Sequence, residues 1–293
     1  MTRKRIITIG LQLASTDIEH AIFRSKTSLL DWDIIVFKPD VGDFLEYADT
    51  FQGKPSLGAD GSFKIKEDCE HWRRELKQAV ETGKTVIVYL SHLQEFYVDT
   101  GQRTYSGTGR NRKTISHVDL YNNYNTIPAS LSPVTASGKS MKLVARIAEM
   151  LTPYWAEFES VSQYEVILTD TKIPSCLVTK SADKAVGAIY RSKTSAGSLL
   201  LLPDINFMPD SFVTKKGGNW TSAALAFAGK FISSIVSLDK ALQNTSEVTP
   251  QPNWADDGRF KMGTEDDLQA QLLEAERQVE NACPGSTTVR QNW

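Results

Sequence analysis

The segment that most constrains this chain is the run DWDIIVFKPD at residues 31–40. Four consecutive apolar residues, Ile34 to Phe37, are bounded by acidic residues and stopped by Pro39. A half-exposed strand alternates apolar and polar side chains, whereas a strand covered on both faces can be apolar throughout. The run therefore predicts a central parallel strand. A second run, KTVIVYL at 84–90, predicts another. Between the two, residues 66–81 place Trp72, Leu76, Ala79 and Val80 at helical spacing, and Gly83 stands where a C-terminal cap belongs. Strand, helix, glycine and strand in that order make a βαβ crossover, which is right-handed almost without exception.

Other elements follow the same logic. Residues 5–13 read as a first strand, with a β-rich segment at 21–23. Residues 140–151 read as a helix through Met141, Leu143, Val144, Ile147 and Leu151. Short strands are expected at 164–168, 176–179, 185–190 and 198–202, and an apolar helix at 220–238. Residues 98–126 break the pattern: they are rich in Gly, Asn, Thr, Tyr and Arg, show no apolar period, and form an insertion. The expected organisation is an α/β domain over 1–240, a polar linker over 241–263 with Pro250, Pro252 and Trp254, and a helix with a frayed tail over 264–293. Thr264 caps that helix, with Asp267 in capping-box position. Leu268, Leu272, Ala275 and Val279 repeat at four, three and four, a heptad seam too short to stand alone. It calls for a protein partner or a second copy.

Composition removes several function classes. The net charge of −2 supplies no global field toward nucleic acid or an anionic membrane, so such affinity would need a local patch. Cys69, Cys176 and Cys283 are odd in number, widely spaced and without zinc-ligand partners, which suits free thiols in a reducing cytoplasm. Neither a metal nor a cofactor is expected. The basic start resembles a signal peptide only faintly, because Gly10 and Gln12 interrupt its apolar stretch. No run approaches membrane-spanning length, so no membrane partner is expected. The sequons at Asn219 and Asn244 then lack a secretory context.

The phrases LDWDIIVF from Leu30, ETGKTVIV from Glu81 and GSLLLLPD from Gly197 to Asp204 resemble class I glutamine amidotransferase and ThuA-like domains. The resemblance covers residues 3–240 and implies a flavodoxin-like three-layer sandwich with a mostly parallel central sheet. A group of bacterial proteins with this front half continues through a Pro/Trp-containing linker into a Glu/Leu-rich coiled segment; Asn253, Trp254 and residues 265–281 are similar to that extension. Catalytic members place a cysteine on a glycine-flanked elbow after a central strand and later supply a histidine and a carboxylate two residues apart. Here the elbow position reads Leu90-Ser91-His92, no glycine flanks it, and no histidine follows His117. The family's glutaminase mechanism is excluded.

Residues at strand ends are the remaining candidates, because open α/β sheets bind ligands at the carboxyl edge. Ser91 and His92 are the candidate catalytic residues, although neighbours in an extended segment point to opposite sides. Asp40, Asp204 and Asn206 are ligand-binding candidates at the same edge. The segment 136–140 (ASGKS) imitates a phosphate loop but lacks its first glycine. In the insertion, Arg103, Arg110, Arg112 and Lys113 are interleaved with Tyr105, Tyr121 and Tyr124, a combination suited to phosphates or nucleic acid. The expectation is a non-catalytic amidotransferase-like binding or scaffolding protein that uses its C-terminal helix for association. Two other classes stay open. One is a hydrolase or nucleotide-processing enzyme using the strand-end cluster. The other is a nucleic-acid-associated protein acting through the insertion, in a bacterial defence or mobile-element setting suggested by the resemblance.

Overall fold

The structure is a computed structural model that describes residues 4–106, 112–170, 172–191, 197–205, 220–245 and 249. The chain divides into two units, Met1–Ala255 and Asp256–Trp293. The seam residues Leu268, Leu272, Ala275 and Val279 lie outside the described residues, as do Arg110, Asn206 and Cys283.

The first part of the chain runs β1 (Ile6–Ile9), β2 (Glu19–Ala21), β3 (Ile34–Phe37), α1 (Gly42–Leu45), β4 (Asp49–Phe51), β5 (Lys54–Ser56), α2 (Ala59–Glu81) and β6 (Thr85–Leu90). It continues through β7 (Glu95–Ser106), β8 (Lys113–Asn122), β9 (Pro133–Gly138), β10 (Met141–Leu143) and α3 (Ala148–Phe158). Then come β11 (Ser162–Leu168), β12 (Ser175–Thr179), β13 (Ala185–Arg191), β14 (Ser198–Ile205) and α4 (Ser222–Asn244).

This is a mixed α/β fold around one large sheet. The strands β2-β1-β3-β6-β14 lie side by side in parallel, with Ile34 beside Thr85 and Ser198 beside Thr85 on the other flank. Beyond β14 the pairings turn antiparallel, through β11, β13, β12, β10 and β9. The sheet is therefore mixed where a mostly parallel one was expected. Connections such as residues 180–184 are too short for a crossover and bring consecutive strands back antiparallel.

Side chains alternate between two environments along the parallel strands. Ile34, Val36, Ile87, Tyr89, Leu200 and Leu202 share a core cluster with Tyr154 and Phe158 of α3 and Phe231, Ile235 and Leu238 of α4. Phe37 points the other way, its ring 5.7 Å from that of Trp72 on α2. Ile65, Cys69, Trp72, Leu76 and Ala79 make the buried stripe of α2 at alternating spacings of four and three. The helix begins at Ala59, earlier than its apolar spacing announces, and ends in a Schellman motif. Lys84 N–H donates to Ala79 O at 2.9 Å and Gly83 N–H to Val80 O at 3.1 Å, with Gly83 at φ +89°.

Three expectations are corrected. Residues 140–151 are not one helix: Met141–Leu143 pairs antiparallel with Leu177–Thr179, and α3 begins at Ala148 and runs through Pro153 to Phe158. Two periods, two for the strand and 3.6 for the helix, abut there. Residues 98–126 are not patternless. Most of them form the hairpin β7–β8, which joins β4 and β5 in a second sheet of order β4-β5-β7-β8. Finally, α4 continues past residue 240 to Asn244, and it is long and apolar enough, by length and composition, to cross a bilayer. Here it packs as a core helix. Its Asp239, buried in the same face, accepts from Thr85 Oγ1 at 2.8 Å and lies 3.1 Å from Lys4 Nζ.

Candidate functional site

Strand order sets the geometry of the carboxyl edge. From β1 the chain moves first to β2 on one side and then to β3 on the other. The ends of β1 and β3 press together: Lys38 N–H donates to Ile9 O at 2.9 Å, and a Cβ on Gly10 would sit 2.3 Å from Lys38 O. Gly10 also holds φ at +69°, in the left-handed region. Residues following β1, β2 and β3 border an open cleft of about 220 Å³. Gly10, Gln12, Ile22, Arg24, Asp40 and Asp43 line it. The Arg24 guanidinium lies 4.2 Å above the Phe44 ring, and Asp40 Oδ1 accepts from Gly42 N–H at 3.0 Å. One cation and two carboxylates thus border a space fit for a small polar molecule.

A second cluster stands at the ends of β3, β6 and β14. Lys38 Nζ lies 2.9 and 3.2 Å from the two carboxylate oxygens of Asp204, which is 8% exposed. Burial pushes the Asp204 carboxyl above the ordinary carboxylate value, and Lys38 opposes this. Beneath the pair, the hydroxyls of Tyr89 and Tyr154 are hydrogen-bonded at 2.6 Å. Burial, more than their neighbours, raises both phenols well above their usual range.

The Asp204 shift has a signed consequence. A carboxyl whose folded pKa exceeds its unfolded one costs no stability below the ordinary value of 3.8, and costs progressively more as pH rises through the folded value. Wild type should therefore lose stability relative to Asp204→Asn across that window, and the difference should be flat above it. Urea unfolding in steps from pH ~4 to ~7 measures this. A pH-independent difference would refute the shift.

Ser91 and His92 follow β6. The Tyr124 hydroxyl donates to Ser91 O, and Asn123 Nδ2 lies 3.0 Å from His92 O and 3.5 Å from Ser91 Oγ. The short turn Asn123–Thr126 that carries both residues is fixed by a capping box between Asn122 and Asn125. The His92 side chain is exposed. His20 bonds Thr8 Oγ1 at 2.6 Å, His117 bonds Thr104 at 3.1 Å, and His71 packs edge-on against Trp72. Among the described residues no histidine is hydrogen-bonded to Ser91. The expected strand-end set is thus divided. Asp40 borders the cleft, Asp204 is paired with Lys38, and Ser91 is held by Tyr124 and Asn123.

No protein-family model, curated protein or solved structure matches this chain.

The other candidates resolve differently. Arg103 is committed to Asp99 through contacts of 2.6 and 2.7 Å; its hydrogen bonds hold the Asp99 carboxyl below the usual range. Arg112 lies 3.8 Å over the Tyr105 ring, and both are exposed. Tyr121 and Tyr124 are buried, so they offer no stacking surface. Gly138, within the phosphate-loop imitation, is paired with Tyr164 in a strand. Among the described residues no His/Cys/Asp/Glu group could hold a metal. Cys69 and Cys176 are free and fully buried, their thiols pushed up to about 12 by burial.

Sequence reasoning missed Lys38, Arg24 and Asn123, and read Tyr124 as a stacking aromatic of the insertion rather than as the donor to Ser91 O. Lys38 had a visible mark, as the residue after the central strand. The other three act through tertiary contacts with distant segments.

Proposed function

We propose that this chain is a catalytically silent binding protein on a flavodoxin-like three-layer sandwich of the amidotransferase kind, taking a small polar ligand in the cleft beside β1. Counting the parallel strands alone, the order is 2-1-3-4-5, the flavodoxin-like order. In open α/β sheets of that order, ligands lie outside the carboxyl ends where the order reverses. The cleft occupies that place.

The observation that carries the reading is the end of β6. An amidotransferase would present an activated nucleophile there, whereas Ser91 has its carbonyl held by Tyr124 and its hydroxyl near Asn123, with no histidine bonded to it among the described residues. The heptad seam Leu268, Leu272, Ala275 and Val279 would supply self-association or a protein partner.

The test is turnover of glutamine and of an activated ester by the full chain and by Ser91→Ala. Both proteins should stay at buffer background with both substrates. Turnover that vanishes in Ser91→Ala would overturn the reading in favour of a hydrolase.

A further inference from the structure

The hairpin β7–β8 is anomalous as a piece of soluble protein surface. Near its base it is packed: Phe96 and Val98 are fully buried and Tyr121 is nearly so. Beyond Thr100 it leaves the body. Residues 101–106 on one strand and 112–117 on the other are exposed on both faces. Two-stranded ribbons are marginal without a covering surface. Cross-strand contacts hold this one together: Arg103 stands opposite Ser116, Tyr105 opposite Thr114, and Ser106 opposite Lys113. A register shift between Asp99 and Arg103, with Gly101 at φ +81°, marks where the ribbon departs.

Its composition says what could cover it. Residues 100–118 contain no Asp or Glu but include Arg103, Arg110, Arg112 and Lys113, in a chain whose net charge is −2. Among these, Arg103 is neutralised by Asp99, whereas Arg112 and Lys113 are exposed at the far end of the ribbon. The alternation of a strand sends these two to opposite faces. Arg112 shares a face with Tyr105, over which its guanidinium lies, and Lys113 shares the other with Thr104 and Ile115. A ribbon with a cation on each face matches a partner that presents negative charge on both sides of a slot.

We propose that the β7–β8 ribbon enters a groove of duplex nucleic acid, Arg112 and Lys113 contacting the phosphates of its two walls. The B-form major groove, about 12 Å wide, admits a two-stranded β-ribbon. Contacts of this kind place a protein on the duplex without reading its sequence. A single strand is disfavoured because its binding depends on aromatic platforms. Tyr121 is buried at the base, and one face of the Tyr105 ring is covered by Arg112. Exposed Thr104, Ser106, Thr114 and Ser116 add hydroxyls on both faces for phosphate and sugar contacts. This inference is independent of the cleft and of the fate of Ser91.

Fluorescence anisotropy with the full chain tests it, using a labelled duplex of about 20 base pairs and, separately, one of its strands. The titrations run between about 50 and 200 mM salt for wild type and for Arg112→Ala/Lys113→Ala. Both replaced side chains are exposed, and circular dichroism verifies that the fold is unchanged. Wild type should bind the duplex more tightly than the strand. The double variant should bind it more weakly, with a log–log salt slope shallower by about 1.8, since each released counterion contributes about 0.9. Absence of duplex binding at the lowest salt would overturn the proposal. So would equal affinity and slope for the two proteins, or tighter binding of the single strand.

Discussion

Trp72→Ala will lower the unfolding free energy by about 3–5 kcal/mol, the range for emptying a fully buried aromatic site. Trp72 is completely buried between α2 and the sheet. Its ring lies 5.7 Å from Phe37 and 6.4 Å from Phe23, and Nε1 donates to Phe23 O at 2.6 Å. Removal costs transfer energy, leaves a cavity that the sheet cannot collapse into, and strips Phe23 O of its donor. For a domain of this size the midpoint should fall by roughly 6–10 °C, at about 2 °C per kcal/mol. Trp72→Phe should lose less, about 1–3 kcal/mol, because the ring volume is largely kept while the buried carbonyl is orphaned. Urea unfolding of the two variants measures both. A loss below ~1 kcal/mol for the alanine variant would mean that α2 does not seat here.

Gly10→Ala is expected to cost about 2–4 kcal/mol and to distort the cleft. Two effects add. A left-handed residue pays about 1 kcal/mol for a Cβ, and forcing an atom into a packed contact pays a further ~1–3 kcal/mol. The contact is severe because the atom met at 2.3 Å is the backbone oxygen of Lys38, which is tied into the β1–β3 pairing and cannot swing aside. Gly53 separates the two effects: it also has positive φ, +77°, but nothing lies within 4 Å of its Cβ position. Gly53→Ala should therefore cost only about 1 kcal/mol. Equal losses at the two positions would show that the ends of β1 and β3 do not touch as described.

Particular elements show why parts of this fold were legible in advance. Ile34–Phe37 and residues 86–90 are apolar throughout because both their faces are covered, so burial is written into consecutive residues. The stripe of α2 is legible for the same reason at a different period. The ribbon was not. Its outer residues are exposed on both faces, and their strand conformation rests on a partner strand, so no apolar alternation announces it. The segment before Leu151 failed where a strand and a helix share an apolar stretch. At the site, Asp40 and Asp204 were visible as acids at strand ends. Their separation into two environments was not visible, nor was the pairing of Asp204 with Lys38, 166 residues away.

By itself the sequence determined which segments must be buried, the existence of a parallel βαβ core, and that Ser91 rather than a cysteine follows β6 with no histidine beyond His117. These follow from local residue chemistry: apolar runs, a capping glycine, a missing histidine. The tertiary structure decided the rest. It turned the later strands antiparallel, held Ser91 between Tyr124 and Asn123, opened a cleft where the order of strands reverses, and raised the basic insertion into a ribbon. Each of these depends on which distant backbone and side-chain groups meet one another. That choice is made by packing the whole chain at once rather than by any short stretch of it.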